Sequence, residues 1–194
     1  MDNTTMLVAL GVIVVVAIAA VAIWQVQKSR RLQHRFGAEY ERTVEDAGSR
    51  RRAEAELAAR EKRVKAMEIR PLGRQDQARF VDAWRRVQAD FVDNPKRAVT
   101  AADRLLGDVM ATRGYPVEDF EQRSQDLSVD HPEVVENYRT AHEIALAHER
   151  GRAGTEDLRQ AMIHFRALFE DLVEDPTPHR ADPGSHPETD HVRH

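Results

Sequence analysis

The hydrophobic pattern divides the chain into three regimes. Residues 6–26, MLVALGVIVVVAIAAVAIWQV, form an apolar run without a charged side chain. At ~1.5 Å per residue a helix of this length reaches about 31 Å, close to the ~30 Å hydrocarbon thickness of a bilayer. Val and Ile lower helix propensity in water, but in lipid the backbone must satisfy its own hydrogen bonds, so helix prevails. A cleaved signal peptide calls for a basic start and a shorter apolar core. Here the opening MDNTT has no Lys or Arg, and small-residue triplets such as Ala17-Ile18-Ala19 lie inside the run. The pattern predicts a transmembrane helix over 6–26, preceded by a short extracytoplasmic N-terminus over 1–5. No pair of small residues four apart occurs in the span, so it offers no tight dimerisation face.

The second regime, 27–74, is dense in Arg and Glu at helical spacings. Phe36, Tyr40, Val44 and Ala47 keep one helical stripe. Ala53, Leu57, Val64 and Met67 fit alternating heptad positions, and Arg60 interrupts the series. That repeat is too short for a long coiled coil. Gly48-Ser49 predicts a break and Pro71 a stop. The expected element is a basic, solvated helical stalk.

The third regime, 75–174, reads as amphipathic helices. Phe80, Val81, Trp84, Val87 and Phe91 make the first stripe; Val99, Ala102, Leu106, Val109 and Met110 the second. Asn94 is placed to cap that second helix, with Pro95 at its first position and Gly114 at its end. Val117, Phe120 and Leu127 mark a short third helix; Val134, Tyr138, Ala141 and Ala145 a fourth, stopped by Gly151. Thr155 is the expected cap of a fifth, which carries Leu158, Met162, Phe165, Phe169 and Leu172. No β-type alternation is sustained, so the fold class is all-α: one transmembrane helix, a charged stalk and a small α-helical bundle. The tail, 175–194, is rich in Pro and His and almost free of apolar residues, and is expected to be disordered. His179, His186, His191 and His194 lack the regular spacing of a metal site.

Charge sharpens this division. Residues 27–74 hold 14 Lys+Arg against 8 Asp+Glu, and residues 75–194 hold 15 against 24. A basic stretch beside an apolar span predicts contact with anionic lipid headgroups. Trp24, Lys28, Arg30, Arg31 and Arg35 are the expected membrane-interface residues. Because those cations follow the span and none precedes it, the positive-inside rule puts the N-terminus outside and residues 28–194 in the cytoplasm. Acidic residues alternate with the basic ones and no stacking aromatics are interleaved, which argues against nucleic acid.

Candidate chemistry is sparse. The chain has no Cys, which excludes disulfides, thiol catalysis and Cys-ligated metals. Ser128, Asp130 and His131 in SVDHPEVV suggest a triad, but triad members ordinarily converge from distant positions. Asp130 as N-cap, Pro132 in the first turn and Glu133 beside them predict a helix start instead. His142 and His148 are six residues apart and do not share a helix face as an i, i+4 pair would; His164 stands alone. Neither the ExxH pair of a di-metal bundle nor a phosphate-binding Gly-rich loop occurs, and no cofactor is expected.

The segments AREKRVKAMEIRPL, FVDNPKRAV, RGYPVEDFEQRSQDLSVDHPEVVENYRTAH and TEDLRQAMIHFRALFEDL resemble a family of uncharacterised bacterial proteins frequent in actinobacteria. The resemblance spans roughly residues 35–175. It implies a single-pass membrane protein with a soluble helical part, and carries no activity or site residues.

Two functional expectations follow. The first is a non-enzymatic, membrane-tethered helical module that scaffolds or recruits a protein partner at the inner face of the cytoplasmic membrane. The alternative is a small enzyme or ligand-binding domain with a pocket near 113–123, where Arg113, Tyr115, Asp119, Glu121 and Arg123 offer polar groups.

Overall fold

The computed structural model describes residues 3–116 and 119–174. These form eight α-helices and no strand: α1 (Asn3–Phe36), α2 (Ala38–Ala47), α3 (Arg50–Lys65), α4 (Arg74–Asp90), α5 (Pro95–Arg113), α6 (Phe120–Asp130), α7 (Val135–Glu149) and α8 (Thr155–Glu174). The His-rich tail, Val117 and Glu118 lie outside the described residues.

Helix α1 has two characters. Its first part projects from the rest of the protein, with Val12 through Val26 exposed. The stretch Gly11–Phe36 contains a segment long and apolar enough to cross a membrane. Its last part enters the fold, where Leu32 and Phe36 are fully buried. No cap or break separates the two parts.

The expected solvated stalk is instead a packed hairpin. Gly37 takes a positive φ of 50° and ends α1, where a side chain would be strained. The stripe through Phe36 and Tyr40 therefore does not continue along one helix. The chain reverses into α2, and Gly48-Ser49 turns it again into α3, as expected from sequence. Leu32, Phe36, Tyr40, Leu57, Val64 and Val129 close a small core. Each fully buried large apolar side chain contributes about 1.5–3 kcal/mol, so this hairpin is held as a folded element.

The main core joins α4, α5, α7 and α8. The expected residues Leu106, Val109, Met110, Leu158, Phe165 and Leu172 are all buried there. Helix α4 docks through Phe80 and Trp84, whose indole stacks on Phe169 with centroids 4.7 Å apart. Met67 and Ile69 pack against both cores and join them. At the end of α5, Gly114 adopts φ 100°, and a Cβ there would sit 2.6 Å from the Glu68 carbonyl oxygen. The α3–α4 connection crosses at this point, with the Arg70 N–H donating to the Arg113 carbonyl at 2.9 Å.

Two expected helix starts are corrected. Asp130 is the last residue of α6, not the N-cap of the next helix. His131 follows it as C-cap, and α7 begins only at Val135. The Asp-His-Pro order carries a cap signature, but the apolar positions Leu127 and Val129 pull the preceding turn into helix, where both are buried. Thr155 is the first residue of α8 rather than its cap; the Asp157 carboxylate accepts from the Gly154 N–H at 2.8 Å.

Candidate functional site

The densest polar construction lies where the α2–α3 hairpin meets α6 and α7. Glu39, in the first turn of α2, is buried to 4% exposure. Arg60 of α3 donates to its Oε1 at 2.6 Å. Arg139 of α7 donates to both of its oxygens, at 2.5 and 2.9 Å. Both arginines are themselves buried, and Arg60 also donates to Glu56 at 2.5 Å. Burial alone would raise the Glu39 carboxyl above its ordinary range, but hydrogen bonds and charges from Arg139 and Arg60 outweigh it and hold it below. Burial would likewise favour neutral Arg139; the Glu39 carboxylate, with Glu136 and Glu121, reverses this and keeps it cationic.

Around this triad run further pairs. Arg31 and Arg35 of α1 reach Glu61 of α3 at 2.8 and 3.3 Å. Arg35 also meets Asp130 at 3.2 Å and donates to the Val129 carbonyl. Arg63 of α3 donates to the fully buried Asp126 at 2.8 Å, whose two oxygens also accept from Gln122 at 3.0 Å. At the exposed rim Arg42 pairs with Glu136 at 3.0 Å. The arrangement clamps α1, α2 and α3 to α6 and α7 through charge. Each buried carboxylate meets one or two guanidinium groups, which suits holding elements together.

The groups of SVDHPEVV do not converge. Ser128 donates to the Gln125 carbonyl at 2.7 Å, Asp130 faces Arg35, and the His131 Nδ1 is hydrogen-bonded to Asp171 of α8. The three belong to three separate contacts, so no serine–imidazole pair is assembled. His142 stacks on Phe120 with centroids 3.6 Å apart, and burial is the leading cause that lowers its pKa. The His164 Nδ1 meets the Asn137 amide oxygen at 2.9 Å.

The residues expected around a pocket at 113–123 are engaged elsewhere. Arg113 is fully buried and donates to the Leu172 carbonyl at 2.8 Å; Tyr115 is buried in the main core. Asp119 caps α6 by accepting from the Gln122 N–H at 2.8 Å. Glu121 accepts from Gln125 on the surface, and the Arg123 guanidinium lies 5.9 Å from the Tyr138 ring centroid. Arg113 and Tyr115 thus anchor the end of α5 in the core, and Asp119 starts α6. An open cleft of about 990 Å³ lies between α4 and α5, lined by Arg86, Asp90, Arg97 and Arg104 among others.

At the expected membrane flank, Trp24 is exposed, and the Lys28 ammonium sits 5.6 Å from its ring centroid. Arg30 is exposed. Arg31 and Arg35 are engaged by Glu61 and Asp130, which sequence spacing did not reveal.

Sequence reasoning missed Glu39, Arg139, Glu61 and Asp126. One signal was present: Arg60 interrupts the stripe of Ala53, Leu57 and Val64 on the face that is buried. A charge in a buried stripe requires a partner. No family model, curated protein or solved structure matches this chain, so the site is read from its own geometry.

Proposed function

We propose that the protein is a membrane-tethered helical module that recruits or scaffolds a protein partner at the inner face of a bacterial cytoplasmic membrane. The observation that carries the reading is the continuity of α1. An exposed apolar segment runs without interruption into Leu32 and Phe36, which are fully buried in the hairpin core. A segment joined in this way would hold the helical domain close to the bilayer, in contrast to a flexible linker. The orientation, N-terminus outside and residues 28–194 in the cytoplasm, rests on the flanking Lys28, Arg30, Arg31 and Arg35.

The tether is tested by alkaline extraction of membranes that contain the full chain. The protein should stay with the membrane until detergent is added, and loss into the alkaline supernatant would overturn the tether. A reporter active only outside the cytoplasm, fused after Val173, should be silent; activity would reverse the orientation. Recruitment is tested by in-cell crosslinking and affinity purification. Failure to capture any reproducible partner above background would remove that part of the proposal.

A further inference from the structure

The α2–α3 hairpin folds back toward the apolar segment, and its tip carries Arg50, Arg51 and Arg52 in the first turn of α3. Its register follows from contacts with α1. The Tyr40 hydroxyl lies 3.3 Å from Ser29 Oγ; the same hydroxyl accepts from Arg50 Nε at 3.0 Å and donates to Glu54 at 3.0 Å. Further along, Glu61 meets Arg31 and Arg35. Thus from Ser29 to Arg35 on α1, about 9 Å, the partner on α3 advances from Glu54 to Glu61, about 10 Å. The two helices run side by side in the same direction. The backbone of Arg50, one turn before Glu54, lies about 6 Å nearer the apolar segment than Glu54 does. This places the tip level with the end of the apolar run, beside Trp24 and Lys28.

Several cations at the tip have no carboxylate partner among the described residues. Lys28, Arg30, Arg51 and Arg52 form no ion pair among the described residues, and Arg30, Arg51 and Arg52 are exposed. Arg50 is held against Tyr40, 6.0 Å from its ring centroid. The acidic neighbours are Glu45, Asp46, which faces Arg42 at 3.8 Å, Glu54, bonded to Tyr40, and Glu56, four residues after Arg52 and bonded to Arg60 at 2.5 Å. Cations in the first turn of a helix oppose its dipole, and α3 has no acidic residue there to offset them. Arg31, Arg35, Arg60 and Arg63, on the packed faces of α1 and α3, meet carboxylates; Arg30, Arg51 and Arg52 do not, and neither do the exposed Lys62, Lys65, Arg70 and Arg74 farther from the apolar segment.

We infer that the hairpin tip is a second membrane contact: Arg51 and Arg52, together with Lys28 and Arg30, seat on the headgroups of anionic lipid beside the α1 anchor. The inference rests on the proposed tether and adds its lipid partner and a second point of attachment. Two contacts fix the domain's tilt on the bilayer, which a single helix leaves free to vary.

The chain has no Cys, so a single introduced thiol can be labelled uniquely. The full-length protein is reconstituted into vesicles of phosphatidylcholine, with or without phosphatidylglycerol. A fluorophore is placed at Ile18→Cys or at Ser49→Cys and quenched by nitroxide lipids, labelled on the acyl chain or the headgroup respectively. The Ile18 label should be quenched in both lipids. The Ser49 label should be quenched strongly only with phosphatidylglycerol. Neutralising each arginine, in Arg51→Gln and Arg52→Gln, should lower the seated-to-free ratio of the tip about fivefold. The pair Arg51→Lys and Arg52→Lys should retain seating. Both positions are exposed, so circular dichroism should be unchanged.

An Ile18 label reached by acyl-chain quencher, with a Ser49 label indifferent to phosphatidylglycerol or to neutralisation, would overturn this inference and leave the tether standing. An Ile18 label that the acyl-chain quencher does not reach would overturn both.

Discussion

Replacing Glu39 with Gln tests whether charge holds the hairpin to the bundle. The substitution keeps the side chain's size and leaves Arg60 and Arg139 facing a neutral amide, with only the more exposed Glu56 and Glu136 as remaining carboxylate partners. Both guanidinium groups are about 95% buried, so neither can recover solvent without movement of α3 or α7. Removing one partner of a buried ion network costs about 3–5 kcal/mol, because buried charge loses its buried counter-charge and keeps only partners at the solvent edge. For a chain of this size, ~2–4 °C of Tm per kcal/mol gives a fall of roughly 6–20 °C. The assay is thermal unfolding of the full-length protein in detergent, followed by circular dichroism. A fall of less than about 2 °C would refute the reasoning, since it would mean that the carboxylate is effectively solvated. A double-mutant cycle locates the effect. Glu39→Gln combined with Arg139→Met should be less destabilising than the two single changes added together, with a coupling of about 0.5–3 kcal/mol. The same carboxylate sets a pH dependence. Its folded pKa lies below the ordinary 4.5, so its contribution is present above that pH. As pH falls below about 4.5 the unfolded chain takes up a proton that the folded protein refuses, and Tm should decline more steeply than in Glu39→Gln.

Gly114→Ala should destabilise by roughly 1–3 kcal/mol, because it combines a left-handed backbone with a Cβ driven against the Glu68 carbonyl; a neutral melt would contradict that crossing. Trp84→Ala should cost about 3–5 kcal/mol and free α4 from Phe169, read as faster amide exchange in α4 than in α5; uniform exchange would oppose this. His142 should titrate below 6.5 by NMR, since burial against Phe120 disfavours its cation, and a midpoint at or above 6.5 would refute the burial argument. By linkage, that lowered pKa makes the folded state lose stability as pH falls below 6.5.

Much of the bundle was legible because helical stripes report burial directly. Val99, Ala102, Leu106, Val109 and Met110 recur on one face, and all are buried. Gly48 and Gly114 ended helices where their freedom of φ predicted. The hairpin was harder to read because its buried face is ionic. Glu39, Arg60, Glu61 and Arg139 look like solvated charge in a region where most neighbours are solvated charge. Their pairing joins positions as far apart as Glu39 and Arg139, and helical periodicity carries no information about such distances. Gly37 signals a reversal only once its positive φ is known. The 113–123 connection shows a related limit: polar side chains in a connection can cap and anchor helices, as Asp119 and Arg113 do.

The uneven distribution of charge acquires two separate meanings. One part is internal, since Arg35, Arg42 and Arg63 of the basic stretch meet Asp130, Glu136 and Asp126 of the acidic one. Attraction between the two halves therefore favours the folded-back arrangement over an extended stalk, and lipid is not needed to account for those arginines. The other part forms no ion pair among the described residues: Lys28, Arg30, Arg51 and Arg52 at the end nearest the apolar segment, and Lys62, Lys65, Arg70 and Arg74 at the far end of α3 and beyond it. No carboxylate among the described residues pairs with Lys28, Arg30, Arg51 or Arg52, and theirs is the charge the proposed lipid contact would use. The proposed membrane contact consequently depends on the clamp: breaking Glu39 from Arg60 and Arg139 would loosen the hairpin, and with it the register that holds Arg51 and Arg52 level with the end of the apolar helix.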